Sequence, residues 1–352
     1  MQQKKYKVIG LMSGTSLDGI DLVYVNISPG PSFSAQILEA TTISYSKSWK
    51  HALANAHTLS KESLNGLNDK YTNLLGTVIL DFVRSHKLSH IDAICSHGHT
   101  VLHQPQNGFT RQIGNLPQLA IAIGHKVVCD FRVQDVALGG QGAPLVPIGD
   151  RMLFGEYDYC LNLGGFANVS HEQNGRRIAY DICAVNTVLN RYAEQLGKGY
   201  DDEGAFAKAG IPNPNLLEKL NGLPFFKKLP PKSLGIEWVH EIVLPLIEEA
   251  KLKPEDVLAT FTHHIAIQLR KQFKDNSSVL ITGGGAFNNY LIELLKENTT
   301  VDYVLPGAQL IEYKEALIFA ILGVLKLEGA VNTLASVTGA KHDHSAGEIH
   351  LP

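Results

Sequence analysis

The chain has 352 residues, and at roughly 100–200 residues per domain that length implies about two domains. Hydrophobic residues make up 44% and charged residues 18%, the composition of a folded globular protein and not of a disordered or fibrous one. Thirty-one Lys and Arg against thirty-four Asp and Glu give a net charge of -3, which leaves no basic excess to neutralise a nucleic acid backbone.

The opening residues pass from lysines directly into Val8-Ile-Gly-Leu and a polar glycine turn. They lack the apolar stretch of about 7–15 residues that a signal peptide needs. The longest uncharged apolar run, 316–325, ends at Lys326, short of the ~18 residues of a membrane span. Cys95, Cys129, Cys160 and Cys183 stand far apart with no C-x-x-C pair, as expected of buried, reduced thiols. Together these features predict a cytoplasmic protein that avoids membranes and nucleic acid. The prevalence of two-fold symmetry makes a homodimer plausible, and nothing else in the sequence bears on it.

In chain order, residues 6–12 and 20–27 are β-branched and apolar and flank the turn formers of 13–19, so they predict strand, glycine turn, strand. Residues 62–86 place Leu64, Leu67, Tyr71, Leu74, Leu75, Val78 and Phe82 at helical spacing. Strands at 90–95 and 126–131 follow, with a helix near 116–123 between them. A second strand–turn–strand unit opens at 158–165 and continues through 166–170, a turn at Asn174-Gly175, and 177–181. Beyond it, 186–196, 237–250, 254–273 and 288–296 predict helices, the third with Pro254 at its first position. Strands are expected at 278–282 and 301–305, and prolines mark 210–231 as irregular.

The alternation predicts an α/β protein of two related lobes with largely parallel sheets. Gly139-Gly-Gln-Gly142 suits a sharp bend, so the N-terminal lobe is expected at 1–132, joined by 330–352, and the C-terminal lobe at 133–329.

Three glycine turns leave predicted strands. Glycine lets backbone N–H groups converge on an anion. The first turn offers Gly14, Thr15, Ser16, Leu17, Gly19 and Ile20, with Asp18 and Asp21 able to hold a hydrated Mg²⁺ beside phosphates. The second is Asn162-Leu-Gly164-Gly165. The third, Thr282-Gly283-Gly284-Gly285-Ala-Phe-Asn288, precedes a helix whose N-terminus favours an anion. None is a Walker A loop or a G-x-G-x-x-G fingerprint. Any one of them is first of all a turn; three at strand exits point to a nucleotide.

Asp181 ends an apolar stretch five residues before a helix start, so it reads either as a base or as that helix's cap. His97 and His99 could share a metal in a hydrolase, contact a substrate, or lie on the surface. Arg132 could grip a substrate carboxylate or pair with Asp130. Glu315 could bind substrate or be a first-turn acid.

Taken together the motifs resemble the anhydro-N-acetylmuramic acid kinase family. The stretches are Gly10-Leu-Met-Ser-Gly-Thr-Ser-Leu-Asp-Gly-Ile-Asp21, Ser96-His-Gly-His-Thr-Val101, Gln112-Ile-Gly-Asn115, Asp130-Phe-Arg132, Gly139-Gly-Gln-Gly-Ala-Pro-Leu-Val-Pro147, Leu161-Asn-Leu-Gly-Gly-Phe-Ala-Asn-Val-Ser170, Thr282–Asn288 and Glu315-Ala-Leu-Ile-Phe-Ala320. Val337-Thr-Gly-Ala340 closes the series.

The resemblance implies an actin-like sugar kinase fold with its active site in an interdomain cleft, using ATP with Mg²⁺. It implies hydrolysis of the 1,6-anhydro bond and phosphorylation of O6 in cell-wall recycling, giving N-acetylmuramic acid 6-phosphate. By carry-over Asp181 is the base, the three glycine turns hold the nucleotide, and His99, Thr100, Arg132 and Glu315 recognise the sugar. Two positions depart from the family pattern. Asp181-Ile-Cys-Ala-Val-Asn186 stands where Asp-Thr-Gly-Pro-x-Asn is expected, and His99 stands where Gln is expected. The readings left beside the kinase are a kinase of this fold for another sugar and a nucleotide-binding regulator without catalysis.

Overall fold

A computed structural model describes residues 4–14, 16–30 and 33–352. Its strands are β1 (Tyr6–Ser13), β2 (Gly19–Ser28), β3 (Ser34–Ser44), β4 (Ala93–Gln104), β5 (Phe109–Ile113), β6 (Val127–Cys129), β7 (Tyr159–Leu163), β8 (Phe166–Gln173), β9 (Arg176–Ala184), β10 (Ser278–Thr282), β11 (Asp302–Val304) and β12 (Glu348–His350). Two compact units result, one of Met1–Leu153 with Tyr313–Pro352, the other of Phe154–Glu312.

The first unit is built on the sheet β12-β6-β4-β1-β2-β3, with β5 paired to β4. β1, β2 and β3 form an antiparallel meander, whereas β4 and β6 run parallel to β1. The helix Lys61–Ser85 starts where Ser60 Oγ accepts the Ser63 N–H at 3.2 Å, a regular N-cap. It buries Tyr71, Leu75 and Ile79 in one cluster with Ile9, Leu11 and Leu22 of the sheet. Each such leucine or isoleucine stabilises the fold by about 1.5–3 kcal/mol.

The second unit has the order β11-β10-β7-β8-β9. β7, β8 and β9 again form an antiparallel meander, and β10 and β11 again run parallel to the first strand. Apart from β5 and β12, which have no counterpart in the second sheet, the two sheets therefore share one order and one set of strand senses. This duplication is what the actin-like sugar kinase fold implies, and the α/β expectation with two related halves holds. The sheets are mixed and not largely parallel, because each unit opens with an antiparallel meander. The core of this unit packs the helix Pro254–Arg270 with Leu161, Leu163, Val169 and Ile281.

The expected lobe boundaries lie elsewhere in the structure. Residues 133–153 and 313–329 belong to the first unit, and physical contacts explain why. The helix Ala308–Leu327 lies so close to β1 that a Cβ on Gly10 would sit 2.2 Å from the Ala316 carbonyl oxygen. Gly323 similarly admits Cys95. Lys314 pairs with buried Asp150 at 2.9 Å, and Thr338 Oγ1 donates to Asp135 at 2.7 Å.

Other local expectations also shift. β4 begins three residues late but runs on to Gln104, so His97 to Thr100 are strand and not loop. The helix read at 237–250 is interrupted by a π-turn at Val239–Val243. The irregular 210–231 stretch contains the helix Pro214–Asn221, capped by Asn213.

Candidate active site

In the first unit the β1–β2 hairpin closes through the Leu17 N–H donating to the Gly14 carbonyl at 3.3 Å, with Leu17 at φ 60°. Thr15 lies outside the described residues. Ser16 and Asp18 are exposed and Gly19 and Ile20 are buried, so the turn presents a polar rim above a packed base. Asp21 is half-buried, and its Oδ1 accepts from Thr42 Oγ1 at 2.7 Å.

The neighbouring strand β4 is irregular at the family motif. Its register against β1 slips between Leu11 and Ser13, and Gly98 takes φ 70°. An ordinary side chain at Gly98 would collide with the Ile113 carbonyl at 2.6 Å and with Asn115. This irregularity tucks both histidines inside, His97 at 4% and His99 at 2% exposure.

His97 donates through Nδ1 to the Gly98 carbonyl at 2.9 Å and accepts the Arg132 Nε–H at Nε2, 3.0 Å away. Both ring nitrogens are thus engaged, which removes the metal-ligand reading for this residue. Burial, then the Arg132 charge, holds its pKa well below the ordinary value. His99 Nδ1 lies 2.9 Å from Ser13 Oγ, which meets the Tyr45 hydroxyl at 2.6 Å; Tyr45 in turn meets the hydroxyl of buried Tyr71. Burial lowers His99 to about 4. The surface-histidine reading fails for both.

Arg132 does not pair with Asp130. Its NH1 donates to the Gly142 carbonyl at 2.6 Å, and Asp130 accepts from Asn115 Nδ2 at 2.9 Å. Burial lowers the guanidinium to about 10, opposed by the charges of Glu315 and Asp135. Glu315 lies well inside the helix Ala308–Leu327, so it is not a first-turn acid. Burial raises its carboxyl; Lys314 and Arg132 pull it back, while Asp21 and Asp150 push it further up. Thr100 accepts from Gln112 Nε2 at 3.2 Å.

Sequence reasoning gave no role to Asp135, which is fully buried and holds the glycine loop. Its Oδ2 accepts the Gly142 N–H at 2.6 Å, and a Cβ on Gly140 would sit 2.2 Å from it. The Gly139-Gly-Gln-Gly run was the available signal.

In the second unit, the turn after β7 meets the turn after β10. A Cβ on Gly283, at φ 83°, would sit 2.5 Å from Asn162 Oδ1 and 2.9 Å from Leu163 backbone. Gly285 faces Leu163 as closely, at 2.7 Å from its Cβ. Gly165 and Gly284 are exposed, and Gly164 is half-buried. The Gly165 carbonyl accepts from Val185 N at 2.9 Å and from Thr187 Oγ1, fixing the turn on the following helix. Asn288 caps the helix Asn289–Lys296, its Oδ1 accepting the Leu291 N–H at 2.9 Å.

Asp181 stands within β9 opposite Asn168, beside a register slip that leaves Ile182 as an extra residue in the strand. Bulges of this kind re-aim a side chain. Its N–H donates to the Lys232 carbonyl at 3.1 Å, and its Oδ2 accepts the Leu234 N–H at 2.8 Å. It does not cap the helix Asn186–Gln195, whose N-cap is Val185 with no side-chain bond. Burial raises the Asp181 carboxyl, and the Leu234 N–H offsets part of that rise. The departing Ile182, Cys183 and Ala184 continue β9 into the core, each 0–1% exposed.

The sequence profile of the family described as anhydro-N-acetylmuramic acid kinase matches residues 6–352. An anhydro-N-acetylmuramic acid kinase of Pasteurella multocida is 35% identical over 379 residues, covering 99% of this chain and 98% of its own. One from Xylella fastidiosa is 34% identical, covering 97% and 95%. One from Francisella tularensis subsp. novicida is 33% identical and covered in full on both sides. Among solved structures, component A of the Acidaminococcus fermentans (R)-2-hydroxyglutaryl-CoA dehydratase aligns over 92% of this chain and 99% of its own, at 15% identity and a TM-score of 0.44.

Proposed function

We propose a reaction course from the premise that the matches establish: the chain belongs to the anhydro-N-acetylmuramic acid kinase family, and it is a sugar kinase. Asp181 is the base of the ring-opening step. The supporting observation is a half-buried carboxylate beside a strand bulge, with one oxygen fixed by a backbone N–H and its proton affinity raised by burial. Such a group is poised to accept a proton and not only to carry charge.

A water adds to the anomeric carbon as its proton passes to Asp181, and the bond from that carbon to O6 breaks. O6 leaves with the electron pair of that bond and takes the proton from Asp181, then returns it to Asp181 as it attacks the γ-phosphorus of ATP. The bond from that phosphorus to ADP breaks, giving ADP and N-acetylmuramic acid 6-phosphate, and the proton passes to solvent. In such transfers the protein chiefly positions groups and balances charge.

The turn at Gly14 to Asp21 and the turns at Asn162–Gly165 and Gly283–Asn288 hold the nucleotide in this reading. The open glycines support it: a Cβ on Gly164, Gly165 or Gly284 would meet no protein atom closer than 3.4 Å, and bare backbone is what a phosphate can approach. Asp18 and Asp21, exposed and half-buried at the first turn, would hold a hydrated Mg²⁺ beside the phosphates. When bound with ATP, Mg²⁺ neutralises phosphate charge during transfer. Arg132, Thr100 and Glu315 recognise the sugar, while His99, buried behind the first hairpin, holds its strand end through Ser13. The enzyme works in the cytoplasm, a reading supported by four free, buried cysteines.

The test is mass spectrometry of 1,6-anhydro-N-acetylmuramic acid incubated with Mg-ATP in ¹⁸O-water. One heavy oxygen and one phosphoryl group in the product are expected. A product without heavy oxygen would remove the hydrolytic step, and no phosphorylated product would remove the substrate.

A further inference from the structure

The edge of the first sheet gathers three ligand-bearing side chains that the kinase reaction does not use. One ligand atom each from Cys129, Asp130 and His350 lies within 4.8 Å of the others, and no other such group occurs among the described residues. The backbone explains the convergence. β12 pairs antiparallel with β6, setting Glu348 opposite Cys129 and His350 opposite Val127. Paired residues share a sheet face, so His350 stands diagonally across from Cys129 on one side. Asp130 would ordinarily point to the other side. Its left-handed φ of 56° breaks the alternation and brings its carboxylate round to the thiol.

We propose that Cys129, Asp130 and His350 form a site for one borderline divalent cation of the zinc class, with water in the remaining position, tying β12 to β6. Thiolate, imidazole and carboxylate are the donors that such ions take, and Mg²⁺ prefers all-oxygen sites. The outer contacts fit as well. Asn115 Nδ2 donates to Asp130 Oδ1 at 2.9 Å, leaving the other oxygen for the ion, and Asn115 is itself tied to Ser96 and the His97 carbonyl. Glu348, on the same strand, adds negative charge beside the thiol and the carboxyl. The buried thiol must become a thiolate to bind, so the ion displaces its proton to solvent.

Cobalt titration of the full chain tests the site. The wild type is expected to bind one Co²⁺, with a thiolate-to-cobalt charge-transfer band, tetrahedral visible bands and release of a proton; added Zn²⁺ bleaches the spectrum and excess Mg²⁺ leaves it unchanged. C129S loses the charge-transfer band, and H350A binds roughly tenfold or more weakly. Absence of the band in the wild type overturns the proposal. A band that H350A leaves unaltered overturns it equally, since β12 would then take no part.

Discussion

Ser13 Oγ lies 2.9 Å from His99 Nδ1, joining the end of the first hairpin strand to the irregular turn of β4 inside the fold. His99 is 2% exposed, so it acts on the hairpin and not on open solvent.

If the hairpin holds the nucleotide, loss of this contact loosens it and leaves Ser13 with a poorer partner. His99→Ala is expected to raise KM for ATP by about tenfold, the effect of one lost buried hydrogen bond, with KM for the sugar within about twofold. His99→Gln, which keeps a donor and an acceptor, restores ATP KM. Steady-state kinetics in both substrates decides the matter; a change confined to the sugar would make His99 a sugar ligand instead.

Asp181→Asn is expected to cut turnover by roughly 10²–10⁴-fold, the usual range for a lost general base. The amide keeps an oxygen for the Leu234 N–H, so the local fold should hold. Calorimetric ATP affinity should stay within about twofold. Undiminished turnover would remove Asp181 from the reaction.

Acid stability follows from the buried histidines. His264 donates to Asn221 Oδ1 at 2.8 Å and is pushed by burial to about 3, and His99 to about 4. The unfolded chain protonates these residues near pH 6.5 while the folded chain does not, so their stabilisation is complete above that pH and declines as pH falls towards the folded values. The slope is up to about 1.4 kcal/mol per pH unit for each. Asp181 and Glu315, raised by burial, act in the opposite sense, so the comparison should be between variants. Denaturant titrations at pH 7 and pH 5 should show His264→Gln losing less stability on acidification than the wild type.

Lys314 and Asp150 form an ion pair with both side chains about 5% exposed or less. Lys314→Met alone is expected to cost roughly 3–5 kcal/mol, because a carboxylate is left buried without its closest cation. Adding Asp150→Leu should recover most of that loss. A double variant that loses the sum of the two single losses in chemical denaturation would mean that the pair is not coupled.

The long helix at Lys61–Ser85 and both glycine hairpins were legible because their periodicity, turn residues and burial agree. β3 was not, since Ser34–Ser44 is an edge strand with mostly exposed residues and little apolar alternation. The π-turn at Val239–Val243 was hidden because one extra residue per turn scarcely alters an apolar pattern. At the site, Asp181 and Arg132 could be named from the chain, but their partners could not. Leu234, Gly142 and His97 meet them only through backbone geometry. The Cys129–His350 juxtaposition is more remote still, as it depends on the register of β12.

β12 has only three residues, yet it occupies the flank of β6 that would otherwise be an open sheet margin. Val127, Val128 and Cys129 are wholly buried, so stripping β12 away would expose an apolar strand with unpaired peptide groups. Such a margin recruits other extended chains. The short strand is therefore a guard against self-association, and its loss would surface first as turbidity at high protein concentration, ahead of any change in catalysis.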